Sequence, residues 1–288
     1  MHIFAIKAKS MRTDTENFYQ QKINQVIDYI SANLHQPLSL EIMADIINVS
    51  QRQLLRIMRS SLKESLSAYI TRQRLERAVM YMQIEEVKLS EIAGKVGYDN
   101  PQSFSKAFKK QFGISPKVYL HKLQSRLDKY VSTDNNENDP LCPEIFEEKE
   151  IDLIYIRIFG EYGETGLYEM TWNKLIQYLK NQNVLSEETR FIGISFDDPN
   201  VTQSSQCRFY ACATFTGNIL PTGEFGIIRI PKGRYAIFTV KGKYSSLQDT
   251  YNKITANFKY TVRHGIAFEE YQRSTENEFI TRIFIPIN

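Results

Sequence analysis

Nowhere in the chain does an apolar run approach the roughly 20 residues that cross a bilayer, so no membrane-spanning helix and no membrane partner are expected. The opening, MHIFAIKAKSMRTDTENFY, holds too short an apolar stretch for a signal peptide. Met11 is an alternative initiator, which leaves residues 1–10 as an upstream extension and residues 1–18 without an expected structural role. Cysteine is scarce, with only Cys142, Cys207 and Cys212. Their number is odd and their spacing matches no ligand or redox pattern. Cys207 and Cys212 are five positions apart, so on a strand they face opposite sides, against a local disulfide or a chelating pair. His2, His35, His121 and His264 are scattered. No metal and no cofactor is indicated, and a reducing cytoplasm is the expected location.

Charge is present in quantity and unevenly placed. Residues 1–132 hold 20 of the 36 Lys and Arg but only 12 of the 33 Asp and Glu, while residues 133–288 are net acidic. A basic first part suits a polyanionic partner. The length, 288 residues, suits two domains.

In the stretch LSEIAGKVGYDNPQSFSKAFKKQFGISPKVY, residues 89–119, two short helices are predicted around a tight turn. Ile92, Ala93 and Val96 give the first an apolar face, and Gly97 stands where the chain needs positive φ. Asn100 can cap the second helix, with Pro101 in its first turn. Phe104, Phe108 and Phe112 recur every four residues as a buried stripe. Gln102, Ser103, Lys106, Lys109 and Lys110 lie on the other face, which suits a major groove and equally a solvated surface.

Residues 38–70 repeat this arrangement. Asn48 stands for Gly97, Leu54, Met58 and Leu62 for the three phenylalanines, and Ser50 with Gln53 has capping-box spacing. Residues 65–82 contain no Gly or Pro and read as one stiff helix that sets the spacing of the two copies, about one turn of DNA. A helix over Phe18–Leu34 precedes them.

Residues 20–125 resemble the DNA-binding domain of AraC/XylS-type transcription regulators, through the runs IAGKVGY and FSKAFKKQFGISP. The resemblance implies an all-α head, bounded here at 19–127, with two helix-turn-helix motifs joined by a long helix, and double-stranded DNA and RNA polymerase as partners. Base-reading positions implied by the family fall on Arg52, Leu55 and Arg56 in the first copy and on Gln102, Ser103 and Lys106 in the second. Arg56 suits a guanine edge and Gln102 an adenine edge. Lys109, Lys110, Arg59 and Arg72 suit phosphates, which position without specifying. Leu55 replaces a residue that is often polar, leaving it a thymine methyl contact or none.

Residues 128–147 are rich in Asp, Asn and Glu, with Pro140 and Pro143, and read as an exposed linker. Beyond it, strands are predicted at 151–159, 190–196, 207–215, 233–244, 267–273 and 279–287, with helices at 167–180 and 245–258. Gly160-Glu-Tyr162 aligns with Gly242-Lys-Tyr244, and Trp172-Asn-Lys-Leu175 with Tyr251-Asn-Lys-Ile254. The tail, 148–288, is thus expected to be α+β, an antiparallel sheet built from two strand–helix–strand–strand repeats with a ligand cleft between them.

The segments ISFDDPNVTQSSQCRFYACATF, IPKGRYAIFTVKGKY and AFEEY resemble gyrase-inhibitor-like effector-binding domains, so the chain has the arrangement of Rob-type regulators. That resemblance implies a small-molecule effector, aromatic or amphipathic and by one reading cationic, as in multidrug sensing. It assigns the sensing carboxylate to Glu269 in Phe268-Glu269-Glu270-Tyr271. On a strand Glu269 and Tyr271 share a face, and a carboxylate among aromatic rings suits an organic cation. Trp172 is either a wall of the cleft or helix core; Tyr210 and Phe196 are further candidate walls. Arg282 stands where several multidrug-sensing relatives carry a second acid, and it can neutralise Glu269 or favour a zwitterionic or anionic ligand. Two alternatives remain for the tail: a protein-interaction module, or a hydrolase using Glu269 as base. No Ser/His/Asp set supports the hydrolase, so no enzyme is expected.

Overall fold

The computed structural model describes residues 2–84, 88–131, 142–242, 247–263, 265–273 and 279–288. Residues 132–141 of the expected linker, and Tyr244 and His264, lie outside this set. Among the described residues no helix is long and apolar enough to cross a membrane.

The first part is helical: α1 (His2–Ala32), α2 (Leu40–Ile46), α3 (Gln51–Leu62), α4 (Leu66–Ile84), α5 (Leu89–Lys95), α6 (Pro101–Phe112) and α7 (Pro116–Leu127). α1 begins far upstream of Phe18, and the segment that carries no sequence signal of its own is helical from His2. The helix pairs α2–α3 and α5–α6 share their turn chemistry. Asn48 (φ 51°) and Gly97 (φ 81°) both take the left-handed region. Gly97 is further constrained, because a Cβ there would lie 2.5 Å from the Leu34 carbonyl oxygen and 2.9 Å from the Arg74 guanidinium. Ser50 and Gln53 form a reciprocal capping box at the start of α3. The Asn100 side chain accepts from the Ser103 N–H at 2.8 Å, and Pro101 occupies the first turn of α6.

Each pair buries its own core. Leu54 and Met58 pack with Val26, Ile27 and Ile30 of α1. Phe104 and Phe108, edge to face at 5.7 Å, pack with Leu75 and Val79 of α4 and with Tyr119 and Leu123 of α7.

The second part is one eight-stranded antiparallel sheet with two helices. Its elements are β1 (Glu144–Glu148), β2 (Ile151–Phe159), α8 (Thr165–Asn181), β3 (Phe191–Ser195), β4 (Arg208–Thr214), β5 (Phe225–Ile230), β6 (Gly233–Lys241), α9 (Leu247–Asn257), β7 (Phe268–Arg273) and β8 (Phe279–Ile287). The strand order, β1-β6-β8-β7-β3-β4-β2-β5, puts β2-α8-β3-β4 in one half and β6-α9-β7-β8 in the other, meeting where β3 pairs with β7. β1 and β5 are edge strands absent from the sequence expectation. β1, EIFEE, is exposed along four of its five residues, so its composition matches a linker, and the sheet begins inside the segment expected to be one.

Alternation along the strands divides the core. Ile154, Ile156, Phe209, Ala211 and Leu175 form the layer under α8, and Ala236, Phe238, Ile283 and Ile254 the layer under α9. Tyr155, Ile194, Tyr210, Tyr235, Phe268 and Phe284 cluster on the opposite face.

The two parts are docked through polar contacts. The Asn24 amide donates to the Glu224 carbonyl at 3.0 Å, and Gln21 to that of Pro221 at 2.9 Å. Arg157 on β2 donates to Asn24 at 3.0 Å and is paired with Asp28, which also accepts from the Tyr155 hydroxyl at 2.6 Å. Arg208 is held by Asp197 at 2.7 and 3.0 Å and approaches Glu76 of α4 at 3.9 Å. The Tyr119 hydroxyl donates to Asp198 at 3.0 Å, and that of Tyr130 to Asp249, also at 3.0 Å.

Candidate functional site

Two surfaces carry the residues singled out from the sequence. On α3, the buried Leu54 and Met58 turn Arg52, Leu55, Arg56 and Arg59 outward, and all four are exposed. On α6, burial of Phe104 and Phe108 exposes Gln102, Ser103, Lys106, Lys109 and Lys110 in the same way. Leu55 is 42% exposed, an apolar side chain among arginines. Arg72 is a correction. It is buried on α4, bonded to Glu64 at 2.6 Å and to Glu76 at 3.1 Å, and is not presented to an external phosphate.

The second surface lies between α8 and α9, over the junction of the two half-sheets. β7 places Glu269 and Tyr271 on this side, beside Gly193 and Phe191 of β3. Gly193 is required here, since a Cβ would lie 2.2 Å from the Tyr271 hydroxyl. Trp172 of α8 meets Tyr271 edge to face at 5.7 Å and Phe209 at 6.2 Å, while Tyr168 packs on Phe209 at 4.6 Å. Glu269 is buried, and both its oxygens are occupied: Oε1 accepts from the Tyr251 hydroxyl at 2.7 Å and Oε2 from that of Tyr271. Burial raises the Glu269 carboxyl above the ordinary carboxylate value, and the Tyr271 and Tyr251 hydrogen bonds oppose that rise. The arrangement is a carboxylate in an aromatic enclosure, able to exchange phenolic hydrogen bonds for an ammonium or amidinium group.

Trp172, Tyr271 and Glu269 are thus brought together, and Tyr210 and Phe196 are not. Tyr210 points to the opposite sheet face, where it stacks on Tyr155 at 4.6 Å and accepts from Arg157 at 2.6 Å; Phe196 packs against it. The period-two alternation that puts Phe209 under Trp172 sends Tyr210 away. Arg282 is also elsewhere. It pairs with Glu270 at 3.7 Å and with Glu144 at 3.6 Å, and Arg190 bonds Glu270 from the same side at 3.1 Å. An Arg282–Glu269 pair, one of the two alternatives for Arg282, does not form, because neighbouring residues of β7 face opposite ways.

Tyr168, Tyr251 and Phe209 were missed in the sequence. Tyr251 had a signal, because the internal repeat aligns it with Trp172, and the two enter the enclosure from α9 and α8. Among the described residues no group of His, Cys, Asp and Glu has a geometry that could hold a metal ion. Cys142 is exposed, Cys207 and Cys212 are buried, and all three are free thiols.

Residues 142–288, just over half of the chain, match the model of the GyrI-like small molecule binding domain, and residues 43–122 match a helix-turn-helix domain. SoxS, a regulatory protein of Salmonella typhimurium, is 31% identical over 105 residues, which are 36% of this chain and 98% of SoxS. The chain belongs to the AraC-type regulators that carry a GyrI-like domain. YkgA of Escherichia coli K12 is 34% identical over 110 residues, 38% of this chain. The chain spans about half the length of YkgA (46%). A solved transcriptional regulator of Chromobacterium violaceum, with an AraC-type DNA-binding domain, is 28% identical, covers 36% of this chain and 92% of that one, and has a TM-score of 0.35. In this GyrI-like protein the matched segment begins at residue 142, ahead of β1, and so takes in the edge strand that resembled a linker.

Proposed function

We propose that this protein is a sequence-specific DNA-binding transcription regulator whose GyrI-like tail senses a lipophilic organic cation. The observation that carries the reading is the pairing of two basic, exposed helices with a buried carboxylate enclosed by Tyr168, Trp172, Tyr251 and Tyr271. α2–α3 and α5–α6 serve as two helix-turn-helix units, with α3 and α6 as the helices that enter the major groove. Arg56 and Gln102 read bases, with Arg52, Leu55, Ser103 and Lys106 beside them. Arg59, Lys109 and Lys110 hold phosphates. The head is taken as 19–127, and the tail from β1 onward.

For the effector, the separation of Arg282 from Glu269 supports a cation, because no basic side chain neutralises that carboxylate among the described residues. Entry of a cation between Tyr251 and Tyr271 replaces two neutral donors with a full opposite charge in a poorly solvated site. The reading assigns no catalysis to the tail and places the protein in the cytoplasm, acting with RNA polymerase. The test is calorimetric titration of the full chain with a lipophilic cation such as tetraphenylphosphonium, against a neutral compound of the same shape. Saturable binding of the cation alone, with changed operator affinity, supports the reading; equal binding of both removes the sensor role.

A further inference from the structure

A second cleft, about 1540 Å³, opens between the helical head and the tail, away from Glu269. From the head its walls are Leu120, Leu123 and Leu127 of α7, and from the tail Ile254, Phe258 and Ile285. Its charged side chains are of one sign: Arg77, Lys95, Lys259 and Arg263 line it, with His35 beside them, and no Asp or Glu does among the described residues.

Arg77 is the unusual member. It sits on α4, the helix between the two helix-turn-helix units, and one of its amino groups donates to the Ser31 carbonyl at 2.8 Å. Among the described residues no carboxylate reaches it, whereas Arg72, Arg157, Arg190 and Arg208 are each paired with an acid. A guanidinium carries five donors, and Arg77, half-buried on the cleft wall with no counter-anion, favours the arrival of one. Burial lowers the Arg77 pKa, and Arg208 adds to that, with Tyr81 opposing.

We infer that this cleft is a second ligand site, specific for an amphipathic organic anion whose carboxylate or equivalent head pairs with Arg77 and whose apolar body lies between α7 and α9. Lys259, exposed at the margin, adds attraction for an incoming anion. The inference goes beyond the cation-sensing role. The two sites have opposite charge selectivity and different neighbours: Glu269 touches only the tail, whereas an occupant of this cleft touches both parts. Such a ligand stabilises the docked arrangement by mass action, so its binding is coupled to the position of the head.

The test is calorimetric titration of the full chain with naphthylacetate and dodecanoate, each against its neutral alcohol. The expected result is saturable binding of the anions with at least tenfold weaker binding of the alcohols. Arg77→Gln should weaken the anions tenfold or more. The exposed Lys259→Glu, which leaves the cores untouched, should weaken them threefold or more and keeps the test decisive if Arg77→Gln does not fold. Glu269→Gln should leave anion affinity unchanged. No saturable binding of either anion, equal binding of the alcohols, wild-type affinity in Lys259→Glu, or loss in Glu269→Gln alone overturns the inference.

Discussion

At the scale of single residues, the two acids of Phe268-Glu269-Glu270-Tyr271 have separate fates set by one peptide bond of strand geometry. Glu269 is capped by tyrosines on the helix side, and Glu270 is locked to Arg190 and Arg282 on the other. Glu269→Gln should therefore weaken a lipophilic cation tenfold or more, measured by calorimetry, while Glu270→Gln should act on folding more than on affinity. Because burial raises the Glu269 carboxyl, cation affinity in the wild-type protein should fall as the pH drops through that raised value. Glu269→Gln should lack this dependence. The shared face of Glu269 and Tyr271 was legible in the sequence, since it follows from period two, whereas Trp172 stood open between cleft wall and helix core. The fates of Tyr210, Phe196 and Arg282 were not legible. Their placement depends on which sheet face each strand turns to the helices, a tertiary property that a strand pattern apolar on both sides does not record.

At the scale of elements, the helix pairs were the most legible part, because turn, cap and stripe all point the same way. Asn48, Gly97, Ser50 and Asn100 each adopt the geometry their residue type favours. Gly97→Ala should cost about 2–3 kcal/mol in chemical denaturation, combining a left-handed backbone with an approach to Leu34 that a methyl group cannot make. Gly113→Ala, also left-handed but with open space around it, should cost about 1 kcal/mol. Equal losses would show that backbone conformation alone sets the requirement. On the exposed faces, Arg56→Ala combined with Gln102→Ala should abolish specific footprints and leave weak, salt-dependent binding. Unchanged footprints would remove α3 and α6 as reading helices. β1 and β5 were illegible for the opposite reason: edge strands bury little, so their sequences carry little pattern.

At the scale of the whole molecule, the sequence indicated two parts and gave no sign that they dock. The contacts that join them are made by single polar side chains to distant partners, 200 positions away for Asn24 and Glu224, and no local pattern encodes such a pair. Among them Glu76 is strongly perturbed. Burial pushes its carboxyl up to about 8 from an ordinary 4.5, with Asp197 adding to the rise and Arg208 and Arg72 opposing it. The folded state thus holds this proton more tightly than the unfolded state. Its contribution to stability is complete below about pH 4.5 and is lost as the pH rises towards about 8. Thermal unfolding across that window should show wild type losing stability, at up to about 1 kcal/mol per pH unit, relative to Glu76→Gln. Parallel curves for the two would mean that Glu76 is already ionised in the docked state.

The junction of the half-sheets has one more consequence. β3 and β7 are joined through only three registered residue pairs, Phe191–Tyr271, Ile192–Glu270 and Gly193–Glu269, whereas β6 and β8 share eight. This ladder is shorter than its neighbours, β3–β4 with five pairs and β7–β8 with six, so bending one half-sheet against the other disturbs fewer ladder bonds here. Glu269 stands on it with a tyrosine from each direction, Tyr271 on its own strand and Tyr251 on the helix above. A molecule that parts those tyrosines would therefore act at the most weakly paired line of a sheet whose outer edge, β5, carries α1 of the head.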